Sequence, residues 1–177
     1  MSLSSFENTL AAPTPSTQHD GPTLECSNDP GALLRIRARR TYSVSREELF
    51  AAWTRRNALD LWLRLRSRSR VMLAPQIGGA FRLELGEGPT IHVITGTVID
   101  IRAGEQLSLS WTHHEKSDRT SVVQVSFRER NRRGEILLLH QGIENRREAA
   151  WLMKLWSNAL ARLDGYFAEG PALARSA

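Results

Sequence analysis

Two histidines are the residues of this 177-residue sequence best suited to acid–base chemistry, because an imidazole titrates near neutral pH. His113 ends the stretch QLSLSWTH and His140 ends EILLLH, and in both the alternation of apolar residues is typical of a half-buried strand. We interpret His113 as a core histidine with a satisfied hydrogen bond and His140 as a polar group that lines a cavity. His114 points to the opposite side of the strand from His113, so this adjacent pair does not form a metal site.

The patterns that usually identify a catalytic or cofactor site do not occur in the sequence. It has no HExxH motif, no Ser/His/Asp set around a nucleophile turn and no pair of carboxylates predicted to face inward. The glycines of GEG, Gly86 and Gly88, lack the following helix and lysine that would hold a phosphate. The single cysteine, Cys26, excludes a disulfide framework and a cysteine-rich metal site. The sequence therefore predicts no metal and no cofactor, and it favours binding over catalysis without deciding between them.

An arginine occupies every second position of LRLRSRSRV, residues 63–71. Two interpretations are open for it: a solvated strand near a sheet edge, where charges discourage pairing between molecules, or a surface for an anionic partner. The first is favoured, because no aromatic side chain that could stack on bases lies between Trp62 and Phe81. The alternation predicts that Ser67, Ser69 and Val71 face inward and Arg66, Arg68 and Arg70 outward, and Arg35, Arg37 and Arg39 form a similar stripe on the first predicted strand.

Arginine is enriched throughout the chain, with 24 basic residues against 19 acidic ones and a formal net charge of +5. A basic balance is common in proteins that bind nucleic acids or anionic membranes. Here the acidic residues are spread among the arginines, so we interpret the excess as a feature of composition and predict no specific nucleic-acid partner. No stretch approaches the roughly 18 continuous apolar residues of a membrane helix, so membrane insertion is not predicted and the cytoplasm is the expected compartment.

The composition divides the chain into one domain and two tails. Residues 1–31 are rich in Ser, Thr, Pro and Gly without an apolar period, which predicts a disordered tail that is neither a secretory signal nor a transit peptide. Residues 32–168 have the length and patterning of one domain with one core. Residues 169–177 are predicted to be a disordered C-terminus, and neither the N-terminal tail nor the arginine-striped strand 64–70 has an assigned role.

Within the predicted domain, apolar residues recur at the spacing of a strand in some stretches and at the spacing of a helix in others. An alternating strand at 32–44 leads into a helix that Ser45 and Glu48 begin as a capping box, followed by a short helix at 57–63. Six alternating strands separated by short turns come next, and Asn145 then caps a long helix with an apolar face. This order predicts an α+β fold in which a curved antiparallel sheet of about seven strands wraps around the C-terminal helix. The sheet and the helix should enclose a space, closed at one end by the two short helices.

Five stretches in this order resemble the SRPBCC superfamily of START-like, helix-grip proteins, and within it the family named for the heat-shock-protein-90 ATPase activator. They are RARRTYSVSREELFAAWT, IGGAFRLEL, GTVIDIRAGEQLSLSW, LLLHQGI and LWSNALARLDGYF, which together span about residues 33–168. The chain departs from the family at LWLRLRSRSR, where Trp62 matches one tryptophan of the usual WWgp signature and the Gly-Pro is missing. The resemblance implies the helix-grip (START/Bet v 1-like) fold.

The resemblance also implies that a small apolar molecule binds between the sheet and the long helix. Among the tryptophans, Trp62 and Trp111 are expected to line this cavity, Trp53 and Trp156 are assigned mainly to core contacts, and Trp151 is left unassigned. The positions predicted to contact the ligand are Trp62, Phe81, Leu83, Leu109, Trp111, His113, Val125, Leu138, His140, Trp156 and Leu160.

Two other functions remain open in the sequence. Relatives in the superfamily include aromatic and polyketide cyclases, and a cyclase-like enzyme of this kind would use His140 as its general acid/base. A co-chaperone or stress-related interaction module is the other alternative. The family's namesake engages the chaperone with an additional N-terminal domain, where this chain has a short tail, so a chaperone partner is not expected. A homodimer is left open.

Overall fold

The computed structural model describes residues 23–27, 33–63, 69–87, 89–114 and 119–170, which form eight strands and three helices. In chain order the elements are β1 (Thr23–Ser27), β2 (Leu34–Tyr42), α1 (Arg46–Thr54), α2 (Arg56–Trp62), β3 (Arg70–Leu73), β4 (Ala80–Glu87), β5 (Thr90–Arg102), β6 (Gln106–His113), β7 (Thr120–Arg130), β8 (Arg133–Ile143) and α3 (Arg146–Ala168). No helix in these ranges is long and apolar enough to cross a membrane.

The eight strands form one antiparallel sheet in the order β1-β2-β8-β7-β6-β5-β4-β3. Strands β3 to β8 each pair with their neighbours in the chain, whereas β2 crosses over to pair with β8. Successive side chains of a strand point to opposite faces, and the buried apolar ones lie on the face that α3 covers. The predicted α+β helix-grip fold is therefore confirmed, with α3 packed against the inner face of the sheet.

Strand β1 corrects the prediction that residues 1–31 form a disordered tail. It pairs with β2 from Thr23 opposite Arg39 to Ser27 opposite Arg35, and it adds an eighth strand to the seven predicted. Four of its five residues are exposed, so backbone hydrogen bonds to β2, together with the partly buried Leu24 that packs against the core, keep it in the sheet. The other predicted tail residues, 1–22, 28–31 and 171–177, lie outside the described residues.

The arginine-rich strand predicted at 64–70 is described only at its end, because residues 64–68 lie outside the described ranges. Ser69 and Val71 are buried while Arg70 is exposed, as the alternation predicts. Strand β3 pairs only with β4, so it is an edge strand of the described sheet. The expectation of a charged edge therefore agrees with the structure at Arg70.

The second arginine stripe lies on β2, which pairs with β1 on one side and β8 on the other. The prediction that this stripe lies on an edge strand is therefore wrong, although Arg37 and Arg39 are exposed as the alternation predicts. Two arginines of this strand form ion pairs: Arg39 lies 2.6 Å from the buried carboxylate of Glu135, and Arg40 pairs with Asp164 of α3. A buried carboxylate needs such a partner, because an uncompensated charge in the interior is costly. Arg39 of this stripe thus stabilises the fold through an ion pair.

Both predicted helix caps are present. Ser45 Oγ accepts a hydrogen bond from the Glu48 backbone N–H, and the Glu48 carboxylate accepts one from the Ser45 backbone N–H at 2.9 Å. Asn145 Oδ1 accepts from the Glu148 backbone N–H at 2.9 Å. Caps of this kind contribute about 1 kcal/mol each, and they determine that α1 begins at Arg46 and α3 one residue after Asn145.

Aromatic side chains fill the centre of the space between the sheet and α3. The ring of Trp111 on β6 lies 5.5 Å from Phe81 of β4 and 5.4 Å from Trp156 of α3. Trp156 lies 6.2 Å from Trp53 of α1, which in turn lies 4.8 Å from Trp62 of α2. All five rings are buried. The space that the sequence predicts is therefore occupied at its centre by the protein's own side chains.

Candidate functional site

His140 lies at the centre of a buried hydrogen-bond network in the aromatic core. Trp156 Nε1 donates to His140 Nδ1 at 3.1 Å, and His140 Nε2 lies 2.8 Å from Ser121 Oγ. Because Nδ1 accepts, the neutral ring carries its proton on Nε2 and donates it to Ser121. The Ser121 hydroxyl in turn donates to the Trp111 carbonyl at 3.1 Å. The network therefore joins β6, β7, β8 and α3 in one arrangement.

Burial keeps His140 neutral and away from any substrate. The side chain is fully buried, and desolvation lowers its pKa to about 3. Both ring nitrogens already have hydrogen-bond partners, so a proton transfer to a ligand would require the network to break. This arrangement supports a structural role for His140 and gives no support to general acid/base catalysis.

His113, the other histidine predicted on the inner face, is buried in a second group of rings. It stacks on Trp151 of α3 with 4.5 Å between ring centroids, and it meets His92 of β5 edge-on at 5.3 Å. His92 also lies 5.7 Å from Trp151, so the three rings are in mutual contact. We call His92, His113 and Trp151 the ring cluster. It marks the place where β5 and β6 meet the first turns of α3.

A groove of about 620 Å³ opens beside the ring cluster, between α3 and the end of the sheet formed by β3, β4 and β5. We call it the α3 groove. Its described lining consists of Ser69, Leu85, Gly86, His92, Trp151, Lys154, Leu155, Asn158, Ala161 and Arg162. The lining residues from α3 recur three or four positions apart, so they lie on one face of the helix. On the sheet side, Leu85 and His92 are direct partners across β4 and β5.

The α3 groove combines apolar and cationic side chains. The partly buried Trp151 provides apolar surface, and the buried Leu85 and Leu155 also line the groove. Lys154 and Arg162 carry positive charge, and none of the described lining residues is acidic. In the part of the chain that the structure describes, no three His, Cys, Asp or Glu side chains come together to hold a metal ion. The groove is thus suited to contacts with an apolar body and to charge interactions.

None of the eleven residues predicted to contact a ligand lines the α3 groove. All of them are at most 4% exposed, and they form the core under α3. His113 is the member that reaches the groove region, through its contact with Trp151. The alternating pattern therefore identified residues that face inward, but it could not show which inward positions α3 covers. Their role as ligand contacts stays a prediction.

The α3 residues of the groove were missed in the sequence, although a signal for them exists. Trp151, Lys154, Leu155, Asn158 and Arg162 lie on one face of the helix at spacings of three, four, seven and eleven residues. This face is adjacent to the apolar face that packs on the sheet. A tryptophan on a second helix face that also carries cations is a signal for an additional contact surface, and Trp151 is such a residue.

A second groove, of about 480 Å³, lies on the face of the sheet opposite α3. Its described lining consists of Thr23, Glu25, Arg37, Ala38, Arg39, Gln124, Ser126, Leu137, Leu138 and Leu139. The lining includes charges of both signs, from Glu25, Arg37 and Arg39, and it includes Leu138 among the predicted ligand contacts. Because opposite charges along β1 and β2 can satisfy each other, this groove is a weaker candidate for a ligand than the α3 groove.

One protein family, described as Activator of Hsp90 ATPase homolog 1-like protein, has a sequence model that matches residues 43–168. The matched region runs from the residue after β2 to the last residue of α3, so it contains every element that builds the α3 groove. No curated protein matches the chain in sequence.

Solved structures with a similar fold cover most of the chain at low sequence identity. A protein from Rhodobacter sphaeroides shares 19% identity at a TM-score of 0.67, over 84% of this chain and 99% of that one. CalU16 from Micromonospora echinospora shares 19% identity at 0.63, over 87% and 88% of the two chains. An HSP90 activator from Plasmodium falciparum shares 24% identity at 0.50, over 62% and 73%. At these identities the likeness establishes the fold alone.

Proposed function

This chain belongs to the Activator of Hsp90 ATPase homolog 1-like protein family, and we propose that it is a single-domain binding protein for a small molecule with a large apolar part. The α3 groove is the binding site in this proposal. The observation that carries it is a groove of about 620 Å³ beside the indole of Trp151. Small-molecule sites are commonly clefts of roughly 300–1,000 Å³ with aromatic walls and a few polar groups.

The buried network around His140 supports the proposal because it fixes α3 against the sheet. Trp156 of α3 donates to His140 of β8, and the ring cluster adds contacts between Trp151 and strands β5 and β6. The two walls of the groove are therefore held at a set distance without a ligand. A preformed site loses less conformational freedom when a ligand binds, so more of the contact energy appears as affinity.

Binding in the α3 groove also leaves the aromatic core closed. A ligand among the eleven predicted contacts would have to separate α3 from the sheet, since those side chains are already buried. Such side chains would gain no further apolar burial from a ligand. Trp151 is only partly buried, so its indole still has apolar surface to lose to a ligand. The proposal therefore puts the ligand beside Trp151.

Trp151→Ala is expected to weaken the binding of N-phenyl-1-naphthylamine, a neutral fluorescent probe, by about tenfold or more, because tryptophan truncations dominate the energetics of such contacts. A fluorescence titration of the probe measures the dissociation constant. Tyr166→Ala, which truncates an aromatic residue of α3 outside the groove, is the matched control and should bind as the wild type does. Circular dichroism should show that both variants are folded. Equal affinities of Trp151→Ala and the wild type would refute the proposed site.

Native mass spectrometry of the purified wild-type protein provides an independent test of the proposal. We expect a small molecule to accompany the folded protein and to leave it on denaturation, so that its mass can be determined. The Trp151→Ala variant should carry less of this molecule. A wild-type protein that carries nothing and also fails to bind the probe would contradict the proposed function.

The geometry does not favour the two other functions. A cyclase-like reaction would need His140 to exchange a proton with a substrate, and both of its nitrogens are buried and hydrogen-bonded. A co-chaperone role is linked to this chain by the family description and by the fold of the Plasmodium falciparum protein, whose 24% identity supports no inference about partners. No contact of the described residues points specifically to either role.

A further inference from the structure

We infer that the ligand of the α3 groove is an amphipathic anion, with an apolar chain or ring system and one anionic head group. The inference rests on the proposed function and adds the charge of the ligand to it. Lys154 and Arg162, the two cations among the described lining residues of the groove, carry this inference. An ammonium and a guanidinium both form their strongest hydrogen bonds with oxyanions such as a carboxylate.

The two cations lie on either side of Leu155 along α3, close to the apolar part of the groove. They are eight residues apart on α3, which corresponds to about 12 Å along the helix axis. Leu155 lies between them and Trp151 precedes them on the same helix face, while Leu85 lies across from the helix on β4. An apolar chain that lies along α3 would therefore contact leucine and indole side chains while its head group reaches a cation.

Arg162 is held in position by the end of α2. Its Nε donates to the Trp62 carbonyl at 3.2 Å, and its Nη2 donates to the Leu61 carbonyl at 3.3 Å. A guanidinium has five N–H donors, so these two hydrogen bonds leave donors for an anion. Because the side chain is already oriented, it loses little freedom when an anion binds.

The charge balance of the groove favours an anion over a neutral molecule. No described lining residue is acidic, and neither Lys154 nor Arg162 forms an ion pair with a carboxylate among the described residues. By contrast, Arg39 and Arg40 on β2 both have carboxylate partners. A neutral ligand would remove water from the two groove cations without compensating their charge, which is unfavourable. An anionic head group supplies the missing partner.

Decanoate, decanol and decylamine test the inference, because they share one apolar chain and differ in the charge of the head group. Their affinities for the wild-type protein are measured by displacement of N-phenyl-1-naphthylamine. We expect decanoate to bind about tenfold more tightly than decanol, in keeping with hydrogen bonds to charged groups, and decylamine to bind more weakly than either. The preference for decanoate over decanol should become smaller as salt is added, because salt screens charge interactions. Acetate, which has the carboxylate without the chain, should not displace the probe.

The outcomes of this displacement series separate the inference from the proposed function. Equal affinities of decanoate and decanol would overturn the inference and leave the proposed function standing, because a neutral chain would still occupy the groove. Displacement by acetate at the same concentration would overturn the inference in favour of a simple anion site. Failure of all three decyl compounds to displace the probe would overturn the inference. Failure of the probe itself to bind, together with a purified protein that carries no small molecule, would overturn the proposed function.

Substitution of the cations identifies where the head group binds. Lys154→Gln is expected to weaken the binding of decanoate about threefold to tenfold. The binding of decanol should not weaken, because a neutral ligand no longer has to remove water from that charge. Arg128→Gln removes one positive charge from an exposed position of β7 outside the groove, and this control for net charge should change neither affinity. The double variant Lys154→Gln/Arg162→Gln should bind decanoate no more tightly than decanol. A retained preference for decanoate in the double variant would overturn the inference, and its affinity for decanol reports whether the groove is intact.

Discussion

Gly96→Ala is expected to lower the free energy of unfolding by about 3 kcal/mol or more, since the added methyl group has no space. A Cβ at Gly96 would lie 1.8 Å from the carbonyl oxygen of Ser110 and 2.7 Å from its carbonyl carbon. Both atoms belong to the backbone of β6, which cannot rotate away as a side chain can. Strands β5 and β6 would have to separate to admit the alanine.

Gly96 lies close to two stacked core rings. It pairs with Phe81 on β4, and β6 on the other side of β5 carries Trp111. The rings of Phe81 and Trp111 stack at 5.5 Å across the intervening strand. A displacement of β6 would therefore also disturb Trp111, whose carbonyl accepts from Ser121 in the His140 network.

Gly165→Ala is the matched control for Gly96→Ala, because it adds the same methyl group to open space. A Cβ at Gly165 meets no atom within 4 Å, and the residue lies within α3. Alanine favours a helix over glycine, so this variant should gain about 0.5–1 kcal/mol. Urea unfolding followed by circular dichroism measures both variants. A Gly96→Ala variant as stable as the wild type would disprove the close approach of β5 and β6.

Acid is expected to destabilise the protein through His140, by about 2 kcal/mol between about pH 7.5 and about pH 5. Burial lowers the pKa of His140 to about 3 in the folded protein, whereas a histidine in an unfolded chain has a pKa of about 6.5. Between these two pKa values the unfolded state binds a proton that the native state does not bind. The free energy of unfolding therefore falls as the pH falls through this window, and the His140 contribution is complete above the unfolded pKa.

His140→Gln tests the origin of this acid sensitivity. Glutamine has an amide at about the reach of Nε2, so it can still donate to Ser121, but it does not titrate. The variant loses the acceptor for Trp156 Nε1 and should be less stable near neutral pH by about 1–3 kcal/mol. Urea unfolding at a series of pH values should show that the loss of stability toward acid is about 2 kcal/mol smaller than in the wild type.

Leu107→Ala separates a titration effect from a general loss of stability. Leu107 is a buried residue of β6 that makes none of the His140 hydrogen bonds, and its truncation should cost about 2–5 kcal/mol at every pH. The dependence of stability on pH should remain that of the wild type. If His140→Gln keeps the full wild-type dependence as well, His140 is not the group that couples folding to acid.

These two predictions concern the scaffold, whereas the groove variants concern binding. Gly96 and His140 lie in or beside the aromatic core, and Lys154 is an exposed residue of α3. Lys154→Gln should therefore change the affinity for decanoate without changing the unfolding midpoint. His140→Gln should lower the unfolding midpoint near neutral pH and, because it loses a contact that holds α3 against the sheet, should weaken the binding of decanoate and decanol to a similar extent. The unfolding measurements report on the residues that hold the groove in place, and the affinity measurements report on the side chains that bind the head group.

Much of the fold could be predicted because the relevant signals are local. The alternation in QLSLSWTH and EILLLH follows from the two faces of a strand, and His113 and His140 do lie on the inner face. The caps at Ser45 and Asn145 depend on side chains three residues away, so both helix starts were correct. Strand β1 was missed because Thr23–Ser27 has little apolar pattern, and its pairing with β2 joins residues that are distant in the chain.

The sequence by itself determined which residues face inward, where the helices begin and the order of elements that produces a helix-grip fold, because each depends on the period of side chains along one element. The tertiary structure alone decided what those inward residues do. Burial among residues from distant parts of the chain lowers the pKa of His140. Helix α3 covers the predicted ligand contacts, while it leaves Trp151, Lys154 and Arg162 along an open groove. Burial and the shape of the space between elements both depend on residues that are far apart in the chain. A local sequence pattern therefore does not determine either of them.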